Sequence, residues 1–265
     1  MVQPILPSNQ PLVTLSIVSH GNAEKIGRLL NSLRTCEQNS QFRVILTDNL
    51  GDNLPSFDSL AGLSFEMLRN HRPRGYGWNH NQAFRLVKTK YFCILNPDVL
   101  FVQAVFGRLI ALLETGEAGI VAPLIVDSGA VVQDSFRTLP TPLEIIRRKI
   151  PGYRLAPIPA DADGLVRPDW MAGMFLFLSS DTYRRLKGFN ESYRLYFEDV
   201  DLCTRARLAG LKLLVDTHVR IQHDAQRASS RNFRHLLWHL GSAFRFYTSQ
   251  VYRQALQNRS ASTGQ

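Results

Sequence analysis

The feature that most constrains this chain is an alternation. Short apolar runs that end on a polar residue are followed by stretches with helical periodicity. "PLVTLSIVS" ends at Ser19, and "AEKIGRLLNSL" after it sets Ile26, Leu29, Leu30 and Leu33 on one helical face. "FRVILTDN" is a second strand, ending at Asp48, and "LSFEML" a short third. "GWNHNQAFRLVKT" reads as a helix, "KYFCILNPD" as a strand ending at Asp98, "VFGRLIALLET" as a helix and "GIVAPLIV" as a strand. Strands alternating with helices predict an α/β fold on a largely parallel sheet. Ligands of such sheets collect at the carboxyl ends of the strands. Ser19, Asp48 and Asp98 all fall there.

The second half is less regular. "LIVDSGAVVQDSF" predicts a hairpin around Ser128-Gly129. Residues 137–167 are rich in proline and charge, which suits a lid over a site or an ordinary surface loop. Order resumes at "WMAGMFLFLSS", and "SDTYRRLKGF" reads as a helix capped by Ser180 or Asp181 and closed at Gly188. In the tail, Phe233, Leu236, Leu237, Leu240, Phe244 and Tyr247 recur at helical spacing, punctuated by Arg234, Arg245 and Arg253.

"LYFEDVDLCTRARLAG" (195–210) holds the densest chemistry. Glu198, Asp199 and Asp201 would occupy the first turn of a helix, where negative charge complements the helix dipole. Capping accounts for one or two of them. Asp199 leads an apolar face through Leu202, Ala206 and Ala209, so it points inward beside Tyr196 and Phe197 as a candidate general base. Asp201 has Arg205 four residues on, the spacing of a helical ion pair. Glu198 can cap or bind a ligand hydroxyl.

Other candidates have weaker signals. Asn96 and Asp98 in "LNPD" can face one side of an extended chain and offer hard oxygens to Mg²⁺ or Mn²⁺. The same tripeptide is also favourable turn chemistry. Asp48 and Asn49 can accept from a base or ribose, or form an Asx turn. Arg74 and Gly75, in "RPRGYGWNHNQAF", precede a helix whose N-terminus suits phosphate. His223 follows a strand-like segment; taken alone, a histidine there is as well explained structurally.

Composition narrows the class. Among 265 residues, 45% hydrophobic and 20% charged describe a globular chain long enough for a large core. No apolar run approaches the roughly 20 residues of a membrane span, and no signal peptide is recognisable. Cys36, Cys93 and Cys203 fit neither a zinc site nor a disulfide framework, so a reducing cytoplasm is expected. The net charge of +9 is concentrated after Thr204. Nucleic acid, an anionic membrane and a phosphate-bearing substrate are all compatible with it, but no nucleic-acid reading motif accompanies it.

The order "TDN", "RGYGWNHNQAF", "LNPD", Trp170-x-x-Gly173, "KGFNESYRLYFEDVDLCTRARLAG", "IQHDAQRAS" resembles the family-two inverting glycosyltransferases of the GT-A fold, especially their bacterial rhamnosyltransferase-like branch. The likeness spans about Leu12 to Ser230, and its most specific part is "GFNESYRLYFEDVDLCTRARLAG". It implies a Rossmann-like nucleotide-sugar-binding sheet flanked by helices. Residues 1–230 would form the catalytic domain, with a nucleotide-sugar half at about 12–123 and an acceptor half at about 168–230. Residues 231–265 would be a basic amphipathic helical extension.

The resemblance also implies roles. Asp199 would be the catalytic base; Ser19, Asp48, Asn49, Arg74, Gly75, Asn81 and Asn96 the donor site; Trp170, Gly173 and Glu198 the acceptor and sugar pocket. Asp98 and His223 would hold Mg²⁺ or Mn²⁺, although Asn96 stands where the family's metal motif has a second aspartate. The donor would be a dTDP-, UDP- or GDP-sugar, with rhamnose or another hexose transferred. The acceptor would be a glycan or a polyprenyl-diphosphate-linked glycan at the inner face of the cytoplasmic membrane. The basic helix would lie on that membrane, pack on the catalytic domain or make a dimer contact. A binding module that kept the fold without catalysis is the competing class, and nucleic acid is not an expected partner.

Overall fold

A computed structural model describes residues 10–38, 41–51, 63–147, 150, 153, 156–223 and 233–263. The basic segment with Arg227 and Arg231, and most of "IQHDAQRAS", lie outside the described residues. In chain order the elements are β1 (Val13–Ser19), α1 (Ala23–Cys36), β2 (Phe42–Asp48), β3 (Ser64–Arg69), α2 (Tyr76–Phe84), β4 (Tyr91–Leu95), β5 (Val99–Phe101), α3 (Phe106–Glu114), β6 (Ala118–Val126) and β7 (Phe136–Arg137). They continue with α4 (Pro142–Arg147), β8 (Leu165–Val166), β9 (Trp170–Met171), β10 (Phe175–Ser179), α5 (Ser180–Arg185), α6 (Glu198–Leu208), β11 (Lys212–His223), α7 (Phe233–Thr248) and α8 (Gln250–Thr263).

Among the described residues nine strands form one sheet, ordered β3-β2-β1-β4-β10-β6-β11-β5, with β8 on β11. β3, β2, β1 and β4 are parallel, as the alternation requires; β10 enters antiparallel between β4 and β6. β1, β4 and β6 are buried at every residue, which explains their unbroken apolar runs. α1 covers one face with Ile26, Leu29, Leu30 and Leu33, all fully buried, as its periodicity predicts. The strand order reverses beside β1 and β4, which puts the position where such sheets bind ligands past Ser19 and Asp98.

Two expected boundaries move. α2 stops at Phe84, because Leu86 and Val87 turn back onto Ala83 and Phe84. α5 is capped by Ser179, whose side chain accepts from the Thr182 N–H at 3.0 Å, rather than by Ser180 or Asp181. The expected hairpin forms, with Val126 bridged to Val132.

His80 is buried on α2 with Ser16 Oγ 2.8 Å from its Nδ1. Burial pushes its imidazole down to about 3. The unfolded chain therefore takes up the proton first. The contribution of His80 to stability is full above about pH 6.5 and is lost as pH falls towards 3. His80→Gln should reduce the drop in Tm between pH 7 and pH 4.5; an equal drop would show that His80 is charged in the fold without cost.

Candidate active site

Geometry at the start of α6 separates the three carboxylates. Tyr196 and Phe197 both adopt left-handed backbone, with φ of 70° and 67°. Such conformations cost about 1–3 kcal/mol each in side-chain-bearing residues and persist only where packing over-determines them. Here α7 supplies that packing. Tyr196 Oη lies 3.0 Å from His235 Nδ1, and the Phe197 ring sits 5.4 Å from His239 and 5.5 Å from Phe246. The bend delivers Glu198 and Asp199 to the wall of a cavity of about 1300 Å³.

Asp199 is held from two sides. Its Oδ2 accepts from the Gly173 N–H at 3.0 Å and its Oδ1 from the Val200 N–H at 2.8 Å. Burial pushes its carboxyl up and outweighs these backbone donors, a direction that suits a base. Glu198 is buried with Oε2 unbonded among the described residues. Burial, then the neighbouring Asp199, push its carboxyl well up. Two adjacent carboxyls in a dry wall do not both ionise. The backbone donors favour the charge on Asp199, leaving Glu198 neutral. Asp201 is committed elsewhere: Arg205 Nε donates to it at 2.7 Å, and Arg205 also grips the carbonyls of Leu186 and Gly188. The helical ion pair inferred from spacing is therefore present.

Gly173 serves the site through its backbone. Its amide holds Asp199, its carbonyl accepts from Tyr76 Oη, and a Cβ would lie 3.2 Å from the Tyr76 ring. Trp170 lines the cavity, its Nε1 donating to the Thr138 carbonyl at 3.1 Å. Part of the 137–167 segment forms the same wall through Arg137, Thr138, Pro140, Ile145 and Ile158. Arg137 stacks 5.5 Å over Trp170 and pairs with Asp134. Among the described residues it is the one Lys or Arg of this wall, and a lone arginine at the start of a proline-rich stretch gave no sequence signal.

Several residues expected at the donor have structural duties instead. Asn81 spends its amide on the 183–191 loop, accepting from Tyr183 Oη at 2.7 Å and the Phe189 N–H at 2.9 Å, and donating to the Phe189 carbonyl and Glu191. It is a clamp between α2 and that loop. Gly75 is a glycine because a Cβ would lie 2.7 Å from the Arg194 carbonyl, which caps α2 through the Tyr76 N–H. Asn49 accepts from the Arg74 N–H at 2.8 Å and donates to the Arg74 carbonyl at 3.1 Å. Asp48 forms the Asx turn, its Oδ1 accepting from the N–H groups of Leu50 and Gly51. Ser19 Oγ closes the turn after β1 onto the Asn22 N–H at 3.4 Å. Arg74 is exposed and stacks 4.8 Å over Trp78 at the mouth of this region.

Asn96 and Asp98 do not share one extended face, because a turn intervenes: the Val99 N–H donates to the Asn96 carbonyl. Asn96 Oδ1 faces Tyr76 Oη at 3.2 Å, whereas Asp98 Oδ1 faces His223 Nε2 at 3.1 Å. Gln133 decides what that second contact means. Its Nε2 donates to the His223 carbonyl, so its Oε1 must face His223 Nδ1, 2.9 Å away. Nδ1 therefore carries a proton, which leaves Nε2 as the ring nitrogen turned towards Asp98 and the one available to a metal. An imidazole nitrogen and a carboxylate oxygen at this separation suit a cation between them. The distance is close to the edge, about 3.0 Å, of an octahedron with bonds of about 2.1 Å. The pair thus fits Mg²⁺ or Mn²⁺ whose other positions come from substrate oxygens and water. Among the described residues no cluster of three His, Cys, Asp or Glu side chains offers a complete protein cage.

Gln133→Ala should weaken Mn²⁺ binding by about 10–100-fold, the usual cost of removing a partner that orients a ligating histidine. Gln133→Glu keeps the Nδ1 acceptor and should restore part of the loss. An Mn²⁺ titration read by electron paramagnetic resonance checks both; equal affinity in all three proteins would reduce Gln133 to cavity lining.

Comparison with known proteins gives a consistent answer. The profile of glycosyl transferase family 2 matches residues 14–159. Rhamnosyltransferase WbbL of Escherichia coli K12 is 30% identical over 94% of this chain and 96% of its own length. The Mycobacterium tuberculosis N-acetylglucosaminyl-diphospho-decaprenol L-rhamnosyltransferase is 28% identical over 58% of this chain and 53% of its own. Among solved structures, the mannosyltransferase PcManGT of Pyrobaculum calidifontis, in complex with GDP-Man and Mn²⁺, superposes with a TM-score of 0.62. It is 15% identical, over 96% of this chain and 76% of that one. GalNAc-T7 with UDP, GalNAc and Mn²⁺ gives a TM-score of 0.63 at 16% identity, over 83% of this chain and 44% of that one. These structures share the GT-A fold with this chain.

Proposed function

The chain belongs to glycosyl transferase family 2, and from that premise we propose that it moves a sugar, rhamnose first among the hexoses, from a nucleoside-diphosphate donor to an acceptor hydroxyl, with inversion, in cell-surface polysaccharide synthesis. The acceptor is a glycan or a polyprenyl-diphosphate-linked glycan. One observation carries this reading: Asp199, anchored by the Gly173 and Val200 N–H groups, stands in the wall of a cavity large enough for more than one sugar.

Asp199 takes the proton of the acceptor hydroxyl as that oxygen forms a bond to the anomeric carbon. The bond from that carbon to the diphosphate breaks on the opposite face, through an oxocarbenium-like state. Glu198, neutral beside it, leaves the negative charge on Asp199. Asp98 and His223, oriented by Gln133, would hold a divalent ion, which would supply neutralisation of charge on the leaving diphosphate. Asp48, Asn49 and Arg74 border the donor crevice, and Trp170 with Arg137 lines the acceptor side. Asp199→Asn should lower turnover by at least about 10³-fold, the scale of losing a positioned base, while nucleotide-sugar binding persists. Turnover on dTDP-, UDP- and GDP-sugars with Mn²⁺, beside thermal shift with the same donors, tests this. Activity of the variant near that of the parent would remove Asp199 as the base.

Peripheral attachment to the inner membrane face is the second part of the proposal. α7 and α8 pack on the catalytic domain through Ala243, Phe246, Tyr252 and Ala255. Leu236, Leu237, Leu240 and Phe244, which is 72% exposed, are left facing solvent. Residues 231–265 hold five arginines and no acid, a match for anionic lipid. No helix among the described residues is long and apolar enough to cross a membrane. Leu237→Asp with Leu240→Asp should abolish co-sedimentation with phosphatidylglycerol vesicles and spare turnover on a water-soluble acceptor. Undiminished co-sedimentation would assign this face to another contact.

A further inference from the structure

Lys25 lies in the first turn of α1, just past the end of β1. Its Nζ is 3.6 Å from Asp98 Oδ2, while Asp98 Oδ1 faces His223. Both side chains are about three-quarters withdrawn from solvent, with 27% and 22% exposure, so the pair is not an idle surface contact. The formal charge of the set is the point. Lys25 contributes +1 and Asp98 −1. An acidic residue at position 96 would add a second negative charge to this turn; Asn96 adds none.

Affinity for a hard dication rises with the charge of its ligands. An ammonium beside the one carboxylate lowers that affinity. The same ammonium is a ready partner for a phosphate, as a compact point charge on a flexible stem. We propose that Lys25 is a resident cation of the donor site: it binds the donor diphosphate directly, and while paired with Asp98 it holds the site's affinity for a divalent ion low. When the diphosphate arrives, Nζ moves to the phosphate oxygens and frees Asp98 Oδ2, so nucleotide and metal enter together. The idea rests on the transferase reading for its ligand and deepens it by naming the group that contacts the diphosphate.

The test uses two probes on the full chain. Lys25→Ala should bind Mn²⁺ alone more tightly, by about tenfold, because a neighbouring like charge is gone. The same variant should bind inorganic pyrophosphate in EDTA more weakly, again by about tenfold, because its cation is gone. Lys25→Arg should keep both affinities near those of the parent. Opposite signs for the two probes cannot come from a loosened fold, which would weaken both. Unchanged or weaker Mn²⁺ binding by Lys25→Ala, or unchanged pyrophosphate binding, would overturn the proposal. So would a parent protein that binds no pyrophosphate without metal. The transferase reading fails separately, on absence of turnover in the parent with every donor tried.

Discussion

The site depends on a strained bend. Tyr196 and Phe197 are consecutive left-handed residues, and neither is glycine. Without them α6 would start on a different heading and Asp199 would not reach the Gly173 amide. The strain, about 1–3 kcal/mol per residue, has to be offset by contacts made nowhere else. Those contacts come from His235, His239, Phe246 and Tyr247 on α7. The C-terminal helices are therefore part of the candidate site rather than an appendage, because they hold the bend that aims Asp199.

This explains which parts of the fold were legible in the sequence. Ile26, Leu29, Leu30 and Leu33 declare their face because a single helix settles it. The Asp201–Arg205 pair spans one helical turn and is likewise local. The clamp made by Asn81 was not legible because its partners, Phe189 and Glu191, lie more than a hundred positions away. Gly75 looks like a phosphate-binding glycine until the Arg194 carbonyl is seen against it. Gln133 carries no signal at all: a glutamine after a hairpin is ordinary until His223 arrives beside it. Periodicity reads what a residue's own element decides, and these duties are decided by another element.

The α7 stripe leaves its facing open for a related reason. Its apolar positions recur correctly, yet the face that packs inward is Ala243 and Phe246, while Leu236, Leu240 and Phe244 point out. A helix with apolar residues on more than one side has no unique inward face, so spacing alone does not orient it. The two placements left open by the sequence, packing on the domain and lying on a membrane, are not exclusive. One side of α7 serves the first and the other is suited to the second.

One chain of contacts joins the cation pair's turn to the base. Tyr76 Oη sits between Asn96 Oδ1 and the Gly173 carbonyl, and the Gly173 amide holds Asp199. The Tyr76 backbone, in turn, is fixed by the Arg194 carbonyl, two residues before the left-handed bend. A shift of the turn at Asn96 is thus felt at Asp199 through the Tyr76 ring and the Gly173 peptide. Asn96 has a use that an aspartate could not fill equally: a carboxylate there would sit against the buried Tyr76 hydroxyl and add a charge to a wall that already holds Glu198 and Asp199. Charge on this turn is then limited to the one carboxylate of Asp98.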